Sequence, residues 1–386
     1  MVQRSSVREY RETKRVSGSD FPDTPVQWAA AVNPPAATFR ATINKEPDVL
    51  ETTIAGSLPR PDWLAEPEKL KGGWKLSGQE LEDGKRRAAA EWIKHQEEAG
   101  IDILTDGEVF RRHFVHTFLE GVEGIDQDKK TLMGIRDDRY NLEVPTVTGP
   151  VSRPEPVHVE EFKFVRGLTE KKLKFTLPGP MTICDTIADA HYGKRADMAM
   201  AFAELLNQEA RELVAAGADV IQFDEPAFNV FFDDVNEWGI AALEKAAEGL
   251  DCTRAVHICY GYGIQENLDW KETLGDEWRQ YEKIFPGLNA SSIDQVSLEC
   301  ADSHVPHSVM SILKDKVLMV GSVAVTPDRI ETPEEVAETI RSAMRYVDPE
   351  RILPCTNCGM TPIPYDVALG KLVSLAIGAE LVRADL

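Results

Sequence analysis

The chain has 386 residues, which is enough for one domain of barrel size or for two ordinary domains. Hydrophobic residues make up 42% and charged residues 28%, so the composition excludes a disordered polyelectrolyte. The formal net charge of −22 makes nucleic acid and anionic membrane surfaces poor partners, and no apolar run approaches the length of a membrane span.

The cysteine content and the N-terminus indicate the compartment. The first residues are polar and lack the apolar segment of a secretory signal. Six cysteines are too few for a disulfide framework, and clustered cysteines in a reducing compartment more often serve metal binding or catalysis. We therefore expect a cytoplasmic protein.

The chain divides near residue 48. Residues 1–48 mix charges with Ser, Thr and Pro and show little periodicity, which predicts an N-terminal extension without chemistry of its own. Residues 49–386 alternate short β-branched runs with amphipathic stretches and form the predicted main domain. The runs predict strands at 51–57, 101–106, 172–178, 218–224, 253–259, 293–299, 316–322 and 351–357. The helical patterns include 81–99, 196–216, 234–249, 304–314 and 333–346.

Eight strands separated by helical patterns predict an α/β fold of the (β/α)8 TIM-barrel type. A doubly wound open sheet is the competing architecture, but no glycine-rich phosphate-binding motif follows any predicted strand. Residues 120–171 are too many for an ordinary loop, so we expect a long insertion after the second strand that lies over one face of the barrel. Functional residues of such a barrel lie at the carboxyl ends of its strands.

The fifth predicted strand ends in the run AVHICYGYG. His257 and Cys259 are two residues apart, so their side chains share one face, and the apolar residues between them face the helices. An inward imidazole beside an inward thiol is typical of a metal site, although a core histidine beside a buried cysteine is the alternative.

Two later strand ends supply further candidate ligands. The sixth ends in QVSLEC, where alternation turns Glu299 inward and Cys300 outward. A carboxylate buried there needs a cation, unless it is an ordinary carboxylate of the rim. The eighth runs into PCTNCGM, where Cys358 lies at the strand end and Cys355 lies further back, toward the helices. One cysteine of this pair completes a His, Cys, Glu, Cys set that fits Zn²⁺.

Acidic residues follow the second and fourth strands. Glu108 lies in DGEVFRR and Asp224 in QFDEPAF, and together they could bracket an ammonium group. Each could instead cap a helix or form a salt bridge at the rim. Arg111 and Arg112 are expected to pair with these acids.

These segments together resemble the catalytic barrel of cobalamin-independent methionine synthases. HICY, SLEC and NCG match the zinc-ligand segments of that family in order. The resemblance extends from about residue 50 to the C-terminus and implies His257, Cys259, Glu299 and Cys358 as the zinc ligands. It also implies that the AGS loop, Ala55, Gly56 and Ser57, holds the carboxylate of homocysteine, and that Glu108 and Asp224 hold its amino group.

The sequence also departs from the family pattern. Full-length members carry a second, N-terminal barrel, whereas only about 48 residues precede the barrel here. Thr326 stands where the family has its catalytic histidine, Val230 replaces a folate-contacting glutamate, and the folate-stacking tryptophan is absent from MTICDTIAD. The chain is therefore similar to the short "core" methionine synthases, some of which take methyl from a corrinoid.

The expected reaction is methylation of homocysteine to methionine through a zinc thiolate. Methyl–cobalt does not need a proton to release its methyl group, whereas the tertiary amine of a folate does, so loss of the histidine favours a methyl-corrinoid donor over methyltetrahydrofolate. One alternative is alkyl transfer to another thiol such as coenzyme M, which the two acids disfavour because a sulfonate needs cations. A second alternative is a scaffold protein with structural zinc, which a glutamate ligand disfavours.

Overall fold

The structure, a computed structural model, describes residues 49–66 and 73–386. The predicted extension at 1–48 lies outside the described residues. The strands are β1 (Ile103–Thr105), β2 (Glu123–Ile135), β3 (Tyr140–Ser152), β4 (Lys172–Pro178), β5 (Ala188–Asp189), β6 (Val220–Asp224), β7 (Thr253–His257), β8 (Gln295–Glu299), β9 (Val317–Val323) and β10 (Ile352–Thr356).

Seven of these strands form one parallel sheet in the order β1-β4-β6-β7-β8-β9-β10. The segment 51–57 lies between the two outer strands: the Thr53 amide donates to Pro354 O of β10 at 3.0 Å, and the Ile103 amide of β1 donates to Thr52 O at 3.0 Å. The sheet is therefore curled into the predicted TIM-barrel fold, with 51–57 in the place of the first strand.

The segment 51–57 lacks the regular hydrogen-bond ladder of a strand because two of its backbone N–H groups donate to side chains. The Thr52 amide donates to Asp102 Oδ2 at 2.8 Å, and the Ala55 amide donates to Thr356 Oγ1 at 2.9 Å. Both bonds satisfy buried backbone donors that a neighbouring strand would otherwise satisfy. The remaining predicted strands are confirmed to within a few residues.

The barrel is filled by a layer of inward-facing apolar side chains. The layer contains Ile103, Val220, Ala255, Met319, Leu353 and Cys355. The expectation that Cys355 faces the helices is wrong, because this thiol packs inside the barrel with residues of four other strands. Above this layer the inward positions become polar, so the strand ends carry the site.

Helices surround the sheet. They are α1 (Gly78–Ala99), α2 (His116–Glu120), α3 (Val159–Arg166), α4 (Pro180–Cys184), α5 (Arg195–Ala215), α6 (Phe232–Asp234), α7 (Ile240–Ala246), α8 (Gln265–Glu272), α9 (Tyr281–Ala290), α10 (Pro333–Ala343) and α11 (Tyr365–Arg383). The predicted helix 234–249 is broken by a π-helical turn, Val235–Gly239, and 304–314 forms only the 3-10 helix His307–Ile312. Among the described residues, none of the helices combines the length and apolarity needed to cross a membrane.

The insertion after β1 is mainly a β-hairpin. Strands β2 and β3 pair antiparallel, and β3 also pairs with the short β5. The tip reverses through Arg136, Asp137 and Asp138, whose φ angles of 55°, 58° and 57° lie in the left-handed region. Arg136 forms an ion pair with Asp185 that anchors the tip. The hairpin thus reaches back over the carboxyl ends of the barrel strands, as its charge-rich sequence led us to expect.

Candidate active site

A cavity of about 660 Å³ opens at the carboxyl ends of the strands. Its wall contains seven of the nine predicted site residues, namely Ala55, Ser57, Glu108, Asp224, His257, Cys259 and Cys358. The other two, Gly56 and Glu299, lie directly behind this wall: the ideal Cβ of Gly56 would be 2.7 Å from Glu108 Oε1, and Glu299 accepts a bond from the Tyr260 amide at 2.7 Å. The barrel topology therefore gathers side chains that lie far apart along the chain.

His257, Cys259 and Cys358 form a compact group whose candidate ligand atoms all lie within 4.8 Å of one another. The two sulfur atoms are 3.2 Å apart. His257 Nδ1 is 2.9 Å from Ser297 Oγ, while the buried Nε2 has no hydrogen-bond partner among the described residues. A buried imidazole nitrogen without a partner, beside two thiols, fits a borderline-soft cation such as Zn²⁺.

One of the two thiols, that of Cys259, is polarised for metal binding, while the hydrogen bond between the pair raises the pKa of Cys358 well above its usual range. The Cys358 thiol donates to Cys259 Sγ, and this bond, with the adjacent His257, holds the pKa of Cys259 well below its usual range. The thiolate is the form of cysteine that ligates metals. The donor set therefore favours a cation at this position.

Glu299 lies next to this group but is not part of it. Its carboxylate is fully buried and accepts from the Tyr260 amide and from the Tyr262 hydroxyl, both at 2.7 Å. Lys271 Nζ is 3.9 Å from Glu299 Oε2. The predicted role of Glu299 as a fourth ligand stays a prediction, since its oxygens are engaged by these three groups.

The acids Glu108 and Asp224 face the same cavity. Glu108 follows Gly107 in the left-handed region, at φ 55°, and its Oε1 accepts from Thr176 Oγ1 at 3.0 Å. Burial raises the pKa of Glu108, and it raises the pKa of Asp224 to about 7. A cation between the two carboxylates would offset this desolvation. Neither acid caps a helix.

The neighbouring arginines only partly behave as expected. Arg111 is fully buried and pairs with Asp106 at 3.3 Å more closely than with Glu108 at 3.9 Å, and it also donates to Thr176 Oγ1 at 2.8 Å. Arg112 lies 3.7 Å from Glu120, outside the acidic pair. Arg111 therefore offsets part of the charge of Glu108 and leaves Asp224 available.

The far wall of the cavity comes from residues that the sequence patterns did not indicate. The hairpin contributes Arg136, Arg139 and Tyr140, and α8 contributes Trp270. The Arg139 guanidinium lies 3.5 Å from the centroid of the Trp270 ring and joins the hairpin to α8. No motif marks these positions, because their approach depends on how the hairpin folds over the barrel.

Two of the sequence departures can be placed. Val230 lines the cavity. Thr326 does not line it, and its hydroxyl lies 3.5 Å from Lys371 Nζ in a buried network with Glu331. Thr326 therefore belongs to the support of a loop rather than to the cavity wall.

Comparisons with known proteins agree with this geometry. The family model described as "Cobalamin-independent synthase, Catalytic domain" matches residues 50–379. A "Methionine synthase" from Sulfolobus acidocaldarius is 32% identical over 349 residues, which are 89% of this chain and 95% of that protein. A second relative, from Saccharolobus solfataricus and with the same name, is 32% identical over 344 residues, 88% of this chain and 96% of that protein.

Solved structures give the same result. A B12-independent methionine synthase from Shewanella sp. W3-18-1, described as a complex with selenomethionine, has a TM-score of 0.85 and 56% identity, covering 87% of this chain and 98% of that one. A putative B12-independent methionine synthase from Listeria monocytogenes has a TM-score of 0.65 at 17% identity, covers 88% of this chain and 99% of that one, and supports the fold alone. The expected methyl-corrinoid donor conflicts with the description of these relatives as independent of B12, and we do not retain it.

Proposed function

Because the chain belongs to the catalytic-domain family of cobalamin-independent methionine synthases, and is therefore a methyltransferase, we propose that it transfers a methyl group to the thiol of homocysteine with the help of a bound Zn²⁺. The observation that carries the proposal is the clustering of His257, Cys259 and Cys358 beside the acids Glu108 and Asp224 in one cavity. We also propose 49–386 as the catalytic domain and 1–48 as a separate extension.

The metal would be held by His257, Cys259 and Cys358. The hydrogen bond between His257 Nδ1 and Ser297 Oγ orients the ring so that Nε2 points to the thiols, a support that ligating histidines commonly need. Glu299 is proposed as the fourth ligand and would have to exchange its bond with Tyr262 for the metal. When bound, Zn²⁺ lowers the pKa of a thiol and keeps the resulting thiolate reactive.

The remaining predicted residues would hold the amino-acid part of the substrate. The ammonium group would lie between Glu108 and Asp224, whose raised pKa values reflect charge that is only partly compensated. The carboxylate would meet the loop Ala55–Gly56–Ser57. The selenomethionine complex of the Shewanella relative supports an amino-acid ligand of this size and charge.

The chemical change follows from this arrangement. The homocysteine thiol releases its proton to solvent, the sulfur attacks the methyl carbon of the donor, and the bond between donor and methyl breaks with its electron pair left on the donor. With methyltetrahydrofolate the leaving nitrogen takes up a proton from solvent, which balances the proton lost by the thiol. Holding the ammonium and the carboxylate of homocysteine in place orients its sulfur toward the methyl group. This orientation lowers the entropic contribution to the activation free energy of methyl transfer. The cavity is large enough for a drug-sized second ligand beside homocysteine, and methyltetrahydrofolate is the first donor to test.

Alkyl transfer to coenzyme M is the second candidate. A sulfonate thiol has no ammonium group for Glu108 and Asp224, so it would leave the charge of both buried carboxylates unpaired. Homocysteine fits the charges of the cavity better.

The test uses purified protein loaded with zinc and incubated with L-homocysteine or coenzyme M and a panel of methyl donors. We expect methionine from L-homocysteine and no methylated coenzyme M. Cys358→Ala should lose zinc and activity together, whereas Cys252→Ala, at a half-buried cysteine outside the site, should keep both. Stoichiometric zinc in Cys358→Ala would remove Cys358 from the ligand set. Turnover with methylcobalamin but not with methyltetrahydrofolate would overturn our choice of donor.

A further inference from the structure

The loop Ile54–Ser57 has all of its backbone carbonyls turned away from the cavity. The Ile54 carbonyl accepts from Lys174 Nζ at 2.5 Å and the Ala55 carbonyl from Gln222 Nε2 at 2.5 Å. The Gly56 carbonyl accepts from Thr105 Oγ1 at 2.9 Å, and the Ser57 carbonyl from the Met360 amide at 2.7 Å.

The amides of the same loop are used differently. The Ala55 amide donates to Thr356 Oγ1 at 2.9 Å, but those of Gly56 and Ser57 donate to no acceptor among the described residues. Consecutive unpaired backbone N–H groups form an anion-binding concavity. Ser57 lines the cavity, so this concavity belongs to its wall.

One of the groups that hold the carbonyls carries a formal charge. Lys174 projects from β4 into the barrel, is only 1% exposed, and has the Ile54 carbonyl as its single oxygen partner among the described residues. Its other close neighbour is Met319 Sδ at 3.9 Å. A wholly buried ammonium with one hydrogen bond is costly and needs compensating charge.

That compensation comes from the acids of the site. Burial lowers the pKa of Lys174, while Cys355, Asp224 and Glu108 oppose the decrease. The cation therefore lies beneath a cavity that holds two carboxylates and, in the proposed function, must also accept the carboxylate of the substrate. A positive charge below the loop reduces the repulsion that these two carboxylates exert on a third anion.

We propose that Lys174 is a positioning residue for the carboxylate of the substrate: it fixes the Ile54 carbonyl, aims the Gly56 and Ser57 amides at the cavity, and offsets the charge of Glu108 and Asp224. This inference rests on the proposed function, because it takes an α-amino acid thiol as the ligand. It predicts that Lys174 favours binding of the carboxylate and does not favour binding of the amine or the thiol.

The test compares three thiols by calorimetry with the zinc-loaded protein. L-homocysteine carries all three groups, 4-sulfanylbutanoic acid lacks the amine, and 3-aminopropane-1-thiol lacks the carboxylate. Lys174→Met should weaken the two carboxylate ligands roughly tenfold, as expected for the loss of a charged hydrogen-bond donor. It should not weaken the aminothiol, because Glu108 and Asp224 then lose a competing cation. Lys172→Met, on the same strand but exposed and paired with Glu51, should change none of them.

A second variant guards against loss of folding. Lys174→Gln keeps a hydrogen-bond donor without the charge, so it should weaken the carboxylate ligands by less than Lys174→Met but still more than about threefold. Thermal melts identify which variants are folded. If Lys174→Met is unfolded, the affinities of Lys174→Gln test the inference instead. Equal losses for all three thiols, or no loss for any, would overturn the inference while leaving the proposed function intact. A wild-type protein that binds no homocysteine would overturn the proposed function and this inference with it.

Discussion

At the scale of single residues, the site is defined by charges that are buried close together. Glu108 and Asp224 are less than a tenth exposed and share one cavity with His257 and the two thiols. Arg111 supplies positive charge from the cavity wall, and Lys174 supplies it from inside the barrel below the Ile54–Ser57 loop. A ligand that adds a positive charge beside the acids reduces the cost of burying them. The ligand should therefore carry an ammonium group next to the acids.

The pKa of Asp224 gives a prediction about pH. This pKa is raised to about 7: burial is the main cause and Glu108 adds to it, while His257 and Arg111 act in the opposite direction. Since the ionised carboxylate attracts only a protonated amine, affinity for L-methionine should be highest near pH 8, where the ligand is still an ammonium ion, and should fall roughly tenfold per pH unit below about pH 7. Methionine is the ligand of choice because its thioether has no proton to titrate, and metal-free protein avoids changes in metal occupancy.

The controls for this prediction separate the carboxylate from other titrations. Asp224→Asn should bind L-methionine weakly and with little dependence on pH. 4-(Methylsulfanyl)butanoic acid, which lacks the amine, should show no decrease in wild-type affinity between pH 8 and pH 6. Equal wild-type affinity for L-methionine at pH 6 and pH 8 would contradict the assignment of Asp224.

At the scale of elements, strand alternation explains which part of the site could be predicted. His257 and Glu299 lie at the ends of regular strands, and a period of two fixes which way their side chains point. The hairpin tip could not be predicted, because Arg136, Asp137 and Asp138 adopt left-handed conformations without any glycine that would signal them. The roles of the Ile54–Ser57 carbonyls were equally hidden, since their partners come from four separate segments of the chain.

Glu225 shows why a motif alone does not establish a catalytic role. It follows Asp224 in the DEPA segment, but its Oε1 accepts from the Met181 amide at 2.9 Å, and its Oε2 accepts from the Thr182 amide and hydroxyl at 2.8 and 2.7 Å. These donors belong to the first turn of α4, where a carboxylate is favourable. The residue joins the end of β6 to α4 and does not line the cavity.

We therefore predict that Glu225→Gln destabilises the fold. The NH2 group of the glutamine would take the place of one carboxylate oxygen and would face a backbone N–H. Both buried donors would then lack an acceptor, which should lower the free energy of unfolding by about 2 kcal/mol. Urea denaturation would measure the loss. Glu248→Gln, at an exposed carboxylate that pairs with Lys245, should change stability little. Equal, small effects of the two substitutions would argue against this role of Glu225.

At the scale of the whole molecule, the barrel was predictable because eight β-branched runs alternate with helical patterns. The closure of the barrel was not predictable, because it depends on hydrogen bonds outside the regular strand ladder. The segment 51–57 connects β10 to β1 partly through side chains of Asp102 and Thr356, which no hydrophobic pattern reveals. The site lies above this closure. Metal ligands from β7 and from the end of β10 would therefore join two distant parts of the sheet.

This connection predicts that the proposed zinc stabilises the whole barrel. Cys259 and Cys358 are 99 residues apart, so a cation held by both links segments that separate on unfolding. A ligand that binds only the native state stabilises it by about 2.7 kcal/mol at a free concentration 100 times its dissociation constant. A chelator should therefore lower the melting temperature of the wild type by a few degrees, and added Zn²⁺ should restore it. Cys358→Ala should melt at the chelated wild-type temperature or below and should not respond to the chelator, whereas Cys252→Ala should respond as the wild type does. A wild-type melting temperature that is insensitive to chelation would show that these side chains hold no metal that contributes to stability.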